Sequence, residues 1–246
     1  MLFDDPRDSR SRAVGSAAPV SKRGRGRAAA AVGLALAGPG SHASGVRLGS
    51  SAKGMNEPLQ VVAKVATVLD ALMVEYVVGG SVASSVYGIP RATLDVDIVA
   101  DLQLSHVRAF VDALKSEFYV DADMIRDAIE RRASFNVIHL QTMFKADIFI
   151  VTDDPWIREE LRRARTESFG DSGAQVVLKF ASPEDVLLHK LVGYRMADPV
   201  SDRQWNDVLG VLRVQGTILD LPYLQKWAAH LGVSDLLARA RGEGLS

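Results

Sequence analysis

The residues of this sequence that could do chemistry crowd into one short stretch, 77–99, which reads VVGGSVASSVYGIPRATLDVDIV. Asp95 and Asp97 lie two apart in a run that alternates acidic and apolar residues, the pattern of a strand with one polar face. Both carboxylates therefore project from one side, and Leu94, Val96 and Ile98 point to the other. Two carboxylates at one place repel each other and are costly unless a cation sits between them. Gly79 and Gly80 follow an apolar strand and precede a short helix that opens near Ser81, so unobstructed amides and a helix N-terminus can face an anion. A triphosphate suits that loop. Hard oxygen ligands beside it favour Mg²⁺, which keeps waters and is completed by substrate phosphates. A third acid, Asp147, interrupts the apolar run 144–151, where an acid without a partner should be rare. It is the candidate for holding a second ion or for taking a proton from an attacking hydroxyl. Ser81 has two roles open to it, a hydroxyl donor to a terminal phosphate or a helix cap. Arg91 could contact phosphate or pair with a nearby acid.

Composition narrows the chemistry further. The chain has no Cys, which removes disulfides, thiolate zinc sites and cysteine nucleophiles together, so any metal must be held by oxygen or imidazole. His106, His139, His189 and His230 show no metal-ligand spacing. With 48% hydrophobic and 24% charged residues over 246 positions, the chain can bury a sizeable core and is not wholly disordered. Residues 1–54 hold nine Lys or Arg against three Asp, a net +6, which leaves −7 for the remainder of a chain whose total is −1. A net-acidic body argues against a protein that coats duplex nucleic acid, although it leaves room for a local basic track.

The elements that must position these groups follow from periodicity. Val61, Val62, Val65, Val68, Leu69, Leu72 and Met73 recur at helical spacing and predict a helix over 58–76, with Pro58 in its first turn. Residues 76–78 predict a short buried strand and 94–100 the strand that carries the acid pair. Helices are expected over 104–118 and 123–132, and a hairpin from 135–140 and 144–151 turning around Gln141 and Thr142. A helix opened by Pro155 over 155–165 and a strand over 174–180 complete this part. At Ser182-Pro183-Glu184-Asp185 the texture changes: a capping Ser, a first-turn Pro and two acids announce a helix. From there the chain reads as helices over 183–196, 201–215, 221–231 and 234–241, with turns at Asp198-Pro199, Gly216 and Gly232 and with Trp205 and Trp227 in the core. The expected plan is a disordered leader 1–54, an α/β (α+β) body 55–181 and a helical C-terminal part 182–246. Met55 directly precedes the first periodic segment, which suggests that the native protein starts there and that the leader is upstream sequence. A signal-peptide reading of the run 28–38 behind Lys22, Arg23, Arg25 and Arg27 is disfavoured, because it starts late and is mostly Ala and Gly.

In order and spacing, Gly79-Gly80-Ser81, Asp95-Val96-Asp97 and Asp147 resemble the nucleotidyltransferases of the DNA polymerase β superfamily, in particular the minimal and AbiEii-type members found in bacterial toxin and antitoxin systems. Arg91-Ala92-Thr93 is similar to the Arg-x-Ser/Thr element that precedes the acid pair in such proteins. The resemblance covers about 60–151 well and the helical tail more loosely. It implies a mixed sheet flanked by helices and transfer of a nucleoside monophosphate from an NTP to an acceptor hydroxyl, with release of pyrophosphate. Two Mg²⁺ ions are implied, one held by Asp95 and Asp97 and a second shared with Asp147 as candidate base. The resemblance further implies that Lys190 and Asp207, on successive helices of the tail, complete the nucleotide site. The acceptor it allows is a tRNA 3′ end, a protein side chain or an aminoglycoside-like small molecule, in a cytoplasmic protein with no membrane segment and with a cognate antitoxin or toxin as partner. The competing reading is a non-catalytic regulator that binds nucleotide or protein on the same fold. Arg158, Arg162, Arg163 and Arg165 could track an RNA backbone, but Glu159 and Glu160 interleave with them, so a salt-bridged face is the better expectation.

Overall fold

The helical periodicity after Met55 becomes α1 (Asn56–Ala71), which ends at a left-handed turn at Met73 and feeds β1 (Tyr76–Val78). The computed structural model describes residues 56–93, 95–169, 175–197 and 201–244. The leader, the start at Met55 and the Asp198-Pro199 turn lie outside them. After β1 come α2 (Gly80–Tyr87), β2 (Asp95–Ala100), a 3₁₀ turn (Leu104–His106), α3 (Val107–Leu114), β3 (Phe118–Tyr119), α4 (Ala122–Arg131), β4 (Ser134–His139) and β5 (Lys145–Ile150). Then follow α5 (Pro155–Arg162), β6 (Arg165–Phe169), β7 (Val176–Phe180), α6 (Pro183–Met196), α7 (Asp202–Gln215), α8 (Leu221–His230) and α9 (Ser234–Gly244). The described strands form one mixed seven-stranded sheet in the order β3-β4-β5-β2-β1-β7-β6. β2 runs parallel to β5 and antiparallel to β1, and β4 and β5 form the expected hairpin. The fold is thus a mixed α/β sheet flanked by helices and followed by a helical C-terminal part. Among the described residues no helix is long and apolar enough to cross a membrane.

Three expected helices are shorter than their apolar spacing suggests, the first of them, expected to reach 76, ending at Ala71 because Leu72 and Met73 turn out of it toward β1. The segment 104–118 yields only α3, because Phe118 leaves the helix to pair with His139 and is buried there as the first residue of an edge strand. Tertiary pairing overrides a helical pattern in such a case. Likewise 155–165 ends at Arg162, and Arg165 opens β6 against β7. β6 is polar and only half-buried, so it carries no hydrophobic signal of its own.

Alternation along the strands decides which face of the sheet is closed. Val96 and Ile98 on β2, Ala146, Ile148 and Ile150 on β5, and Phe135 and Val137 on β4 are buried on one face. The opposite face carries Asp95, Asp97, Lys145, Asp147, Phe149, Asn136 and Ile138, all at least partly accessible. The sheet therefore presents an open polar face beside a closed apolar one.

Ser182 caps α6 as expected, accepting from the Asp185 amide. The Asp185 carboxylate in turn accepts from Trp156 Nε1 of α5 (2.9 Å), the Tyr223 hydroxyl of α8 (2.6 Å) and Ser182 Oγ (2.6 Å), so one buried acid ties three helices together. Burial, followed by the nearby Glu160 charge, pushes the Asp185 carboxyl up to about 6. A raised carboxyl favours the folded state while it is protonated, and that contribution is lost as pH rises from about 4 through about 6. Asp185→Asn should therefore flatten the fall in stability between pH 4.5 and pH 7, by on the order of 3 kcal/mol at most. Urea unfolding of both proteins across that range checks it, and parallel curves would refute it.

Candidate active site

β2 and β5 are parallel and in register, and the Cα partner of Asp97 is Asp147. Asn136 on β4 is the next partner in the same row, so Asp97, Asp147 and Asn136 stand abreast on the open face. Asp95 lies one step along β2 on that face, opposite Lys145. The three acids chosen from the sequence, more than fifty positions apart at the extremes, are thereby brought to one place. Their charges interact. Burial first, then Asp95, raises the Asp97 carboxyl above its ordinary value, with Asp147 adding to the rise and Lys190 and His189 opposing it. A cation placed among them would reverse that cost. Among the described residues no group of three or more His, Asp or Glu side chains converges tightly enough to hold a metal ion as it stands. Lys145 stands in the same patch, with its ammonium 2.7 Å from Asp147 Oδ2.

The Gly-Gly turn is built against this row. The Gly79 amide donates to the Asp97 carbonyl (2.8 Å), and Gly80 adopts φ +60° as α2 begins. A Cβ on Gly80 would lie 1.7 Å from Asp97 Oδ2, so only glycine leaves room for that carboxylate. Gly79 rather than Ser81 occupies the cap position, without a side-chain cap bond, which corrects the capping role considered for Ser81.

Ser81 instead accepts from Arg91 Nη2 (2.5 Å) and lies 3.4 Å from Lys190 Nζ. Arg91 resolves its two options in favour of an acid: its Nε and Nη2 bond both oxygens of Asp207 at 2.8 Å, a bidentate pair. Lys190 Nζ is 2.9 Å from Asp207 Oδ2. Burial alone would push Asp207 up, but the hydrogen bonds from Arg91 and Lys190 outweigh it and hold the carboxyl below its ordinary value. The cluster fastens the loop after α2 to α6 and α7. Gly88 permits this, since a Cβ there would come within 2.8 Å of the Val211 backbone nitrogen on α7. Thr93 donates to Asp95 Oδ1 (2.8 Å) and orients the more exposed acid.

Between these groups opens a cleft of about 950 Å³ lined by Ser81, Arg91, Ala92, Thr93, Asp95, Asp97, Lys190, Ser201, Arg203 and Gln204. The lining joins two acids, Asp95 and Asp97, to the basic groups Arg91, Lys190 and Arg203, a combination that suits a cation–polyphosphate pair. Asp147 stands beside the lining, in register with Asp97, and Asp207 stands behind it, paired with Arg91 and Lys190. Ser201, Arg203 and Gln204 were not singled out from the sequence. Arg203 is exposed in the first turn of α7, where the helix dipole disfavours a cation, and that misfit was the available signal. Among the described residues Arg203 has no ion-pair partner, in contrast to Arg91 and Lys190. Arg158, Arg162, Arg163 and Arg165 are all salt-bridged, but not by the interleaved acids as expected: only Arg162 pairs with Glu159, Glu160 is buried against His189, Arg158 pairs with Asp101, and Arg163 and Arg165 pair with Glu184. Trp205 and Trp227 are buried core residues.

No protein-family model matches this sequence, and no curated protein is significantly similar to it. Among solved structures, the fold is similar to an antigenic nucleotidyltransferase-like protein from Paracoccidioides brasiliensis, at 18% identity and TM-score 0.46, over 76% of this chain and 93% of that one. It is also similar to the antibiotic-resistance factor ANT(2'')-Ia, at 10% identity and TM-score 0.44, over 77% and 95% of the two chains. A third likeness is to the lincosamide antibiotic adenylyltransferase LnuA, at 14% identity and TM-score 0.36, over 66% and 96%.

Proposed function

We propose that this chain is a metal-dependent nucleotidyltransferase that moves a nucleoside monophosphate from an NTP to an acceptor hydroxyl. The observation that carries the reading is the row of carboxylates beside a cleft that also carries Arg91, Lys190 and Arg203: Asp97 and Asp147 in register, Asp95 one step along β2. The donor set is all oxygen, the surroundings hold no thiol, and the acids are mutually repelling, which fits Mg²⁺. Asp95 and Asp97 would hold the ion that meets the triphosphate, and Asp147 would share a second one. Bound there, Mg²⁺ would neutralise charge on the phosphates and polarise the attacking oxygen.

The remaining work falls to the chain's own groups. Gly80 leaves room for the Asp97 carboxylate and the Gly79 amide ties the turn to β2, so the Gly-Gly turn sets the row of acids, and the first turn of α2 meets the cleft at Ser81. Asp147 takes the proton from the acceptor hydroxyl as that oxygen bonds to the α-phosphorus and the bond to pyrophosphate breaks. Lys190, set by Asp207, offsets the charge that grows on the departing pyrophosphate, and Arg203 in the cleft lining binds the triphosphate of the incoming NTP. Arg203→Ala should accordingly raise KM for NTP about tenfold with a smaller change in kcat, measured by steady-state transfer. An unchanged KM removes Arg203 from the site.

The acceptor class is tested by supplying each labelled NTP singly to purified protein with tRNA, with a lysate of the producing cell, and with aminoglycosides, using Asp95→Ala as the contaminant control. Label on tRNA supports a toxin-like role, label on a protein an antitoxin-like role, and label on an antibiotic a resistance role. NTP binding without transfer to any acceptor would favour the regulatory reading instead.

A further inference from the structure

Lys145 is not accounted for by nucleotidyl transfer as described so far. It is the register partner of Asp95, projects from the open face, and places its ammonium 2.7 Å from Asp147 Oδ2. Its side chain is 41% exposed and that of Asp147 21%, so the pair lies at the rim and can open at modest cost. The negative charges of Asp95 and Asp97 also act on this ammonium. Three acids in one patch of sheet are thus partly neutralised by a lysine of the same face, and Oδ2 of Asp147 is taken by an amine.

We propose that Lys145 is a built-in counter-cation that occupies Asp147 and must be displaced before a divalent ion can bind there. This rests on the nucleotidyltransferase reading and adds a mode of regulation to it. A divalent ion and an ammonium cannot share one carboxylate oxygen, since their repulsion at about 4 Å is several times the thermal energy at a protein surface. Lys145 therefore lowers the affinity for metal in the nucleotide-free protein. The cost is recovered only when the triphosphate supplies further ligands, so metal loading at Asp147 is made conditional on nucleotide.

The test is Mn²⁺ binding to the full chain without nucleotide, read from the free Mn²⁺ signal in electron paramagnetic resonance. Lys145→Met keeps the length of the side chain and removes the charge; it should bind Mn²⁺ about tenfold tighter than wild type. Lys145→Arg keeps the charge and should stay near wild type. Lys145→Gln provides the same charge removal should the Met protein fail to fold. In an Asp147→Asn background the gain from Lys145→Met should vanish. Equal Mn²⁺ affinity of wild type and both neutral variants overturns this role for Lys145 and leaves the nucleotidyltransferase reading intact. A weaker NTP affinity with unchanged Mn²⁺ affinity would make Lys145 a phosphate ligand and likewise overturn the proposal. Absence of Mn²⁺ binding in every variant at millimolar metal overturns this role for Lys145, whereas the nucleotidyltransferase reading falls only if labelled NTP is transferred to no acceptor.

Discussion

Asp97→Asn should lower nucleotidyl transfer about a thousandfold or more and at the same time raise the melting temperature of the metal-free protein. The two effects share one cause. Asp97 is partly buried between Asp95 and Asp147, and burial and like charge both work against its ionised form. Asn has nearly the same shape without the charge, so the substitution removes a repulsion that the fold otherwise tolerates. The same charge is what a divalent cation would need, and groups that stabilise charge only in the transition state carry effects of this size. Melting curves with and without Mg²⁺ separate the two contributions. Wild type should gain stability on adding Mg²⁺, whereas Asp97→Asn should start higher and gain little. A variant that melts lower than wild type without metal would show that Asp97 is a structural residue, and retained transfer would remove it from the chemistry.

Gly80→Ala should cost about a hundredfold in transfer with only a moderate loss of stability. Two penalties combine at this position. A residue with a Cβ is strained at φ +60°, by about 1–2 kcal/mol. The new methyl would also fall 1.7 Å from Asp97 Oδ2, so the carboxylate must rotate away from the row it shares with Asp147. Misplacement of a ligand or base by about 1 Å is enough for losses of this order. Gly232 supplies the control, since it has φ +68° and a Cβ there meets nothing within 4 Å. Gly232→Ala should show the conformational cost without the loss of transfer, measured by urea unfolding and the transfer assay. Equal activity in the two variants would mean that the Asp97 carboxylate need not stand where it does.

Much of the fold follows from local pattern. The helix after Met55, the strand that carries the acid pair, the hairpin of β4 and β5, and the capped start of α6 at Ser182 are each dictated by periodicity, turn residues or capping chemistry close in sequence. What local pattern misjudges is where pairing with a distant strand outweighs it. Phe118 leaves an apparent helix for β3, and the polar β6 exists only because β7 offers it hydrogen bonds.

For the site, residue type and spacing determined the chemistry, because two acids on one strand face beside a Gly-Gly turn require a cation and suit a phosphate wherever the chain takes them. The tertiary structure decided everything that depends on distance. Register between β2 and β5 places Asp147 beside Asp97. Packing of α6 and α7 on the loop after α2 commits Arg91 to Asp207 and leaves Arg203 unpaired among the described residues. Lys145 and Asp147 are two apart in a run that reads in sequence as apolar and interrupted by Asp147, with nothing to single out the lysine. Only the open sheet face, where Asp95 stands opposite Lys145, makes that lysine the cation for a patch of acids. Spacing along a chain fixes which way a side chain points, whereas which charges meet is fixed by strand register and helix packing, contacts made between residues far apart in the sequence.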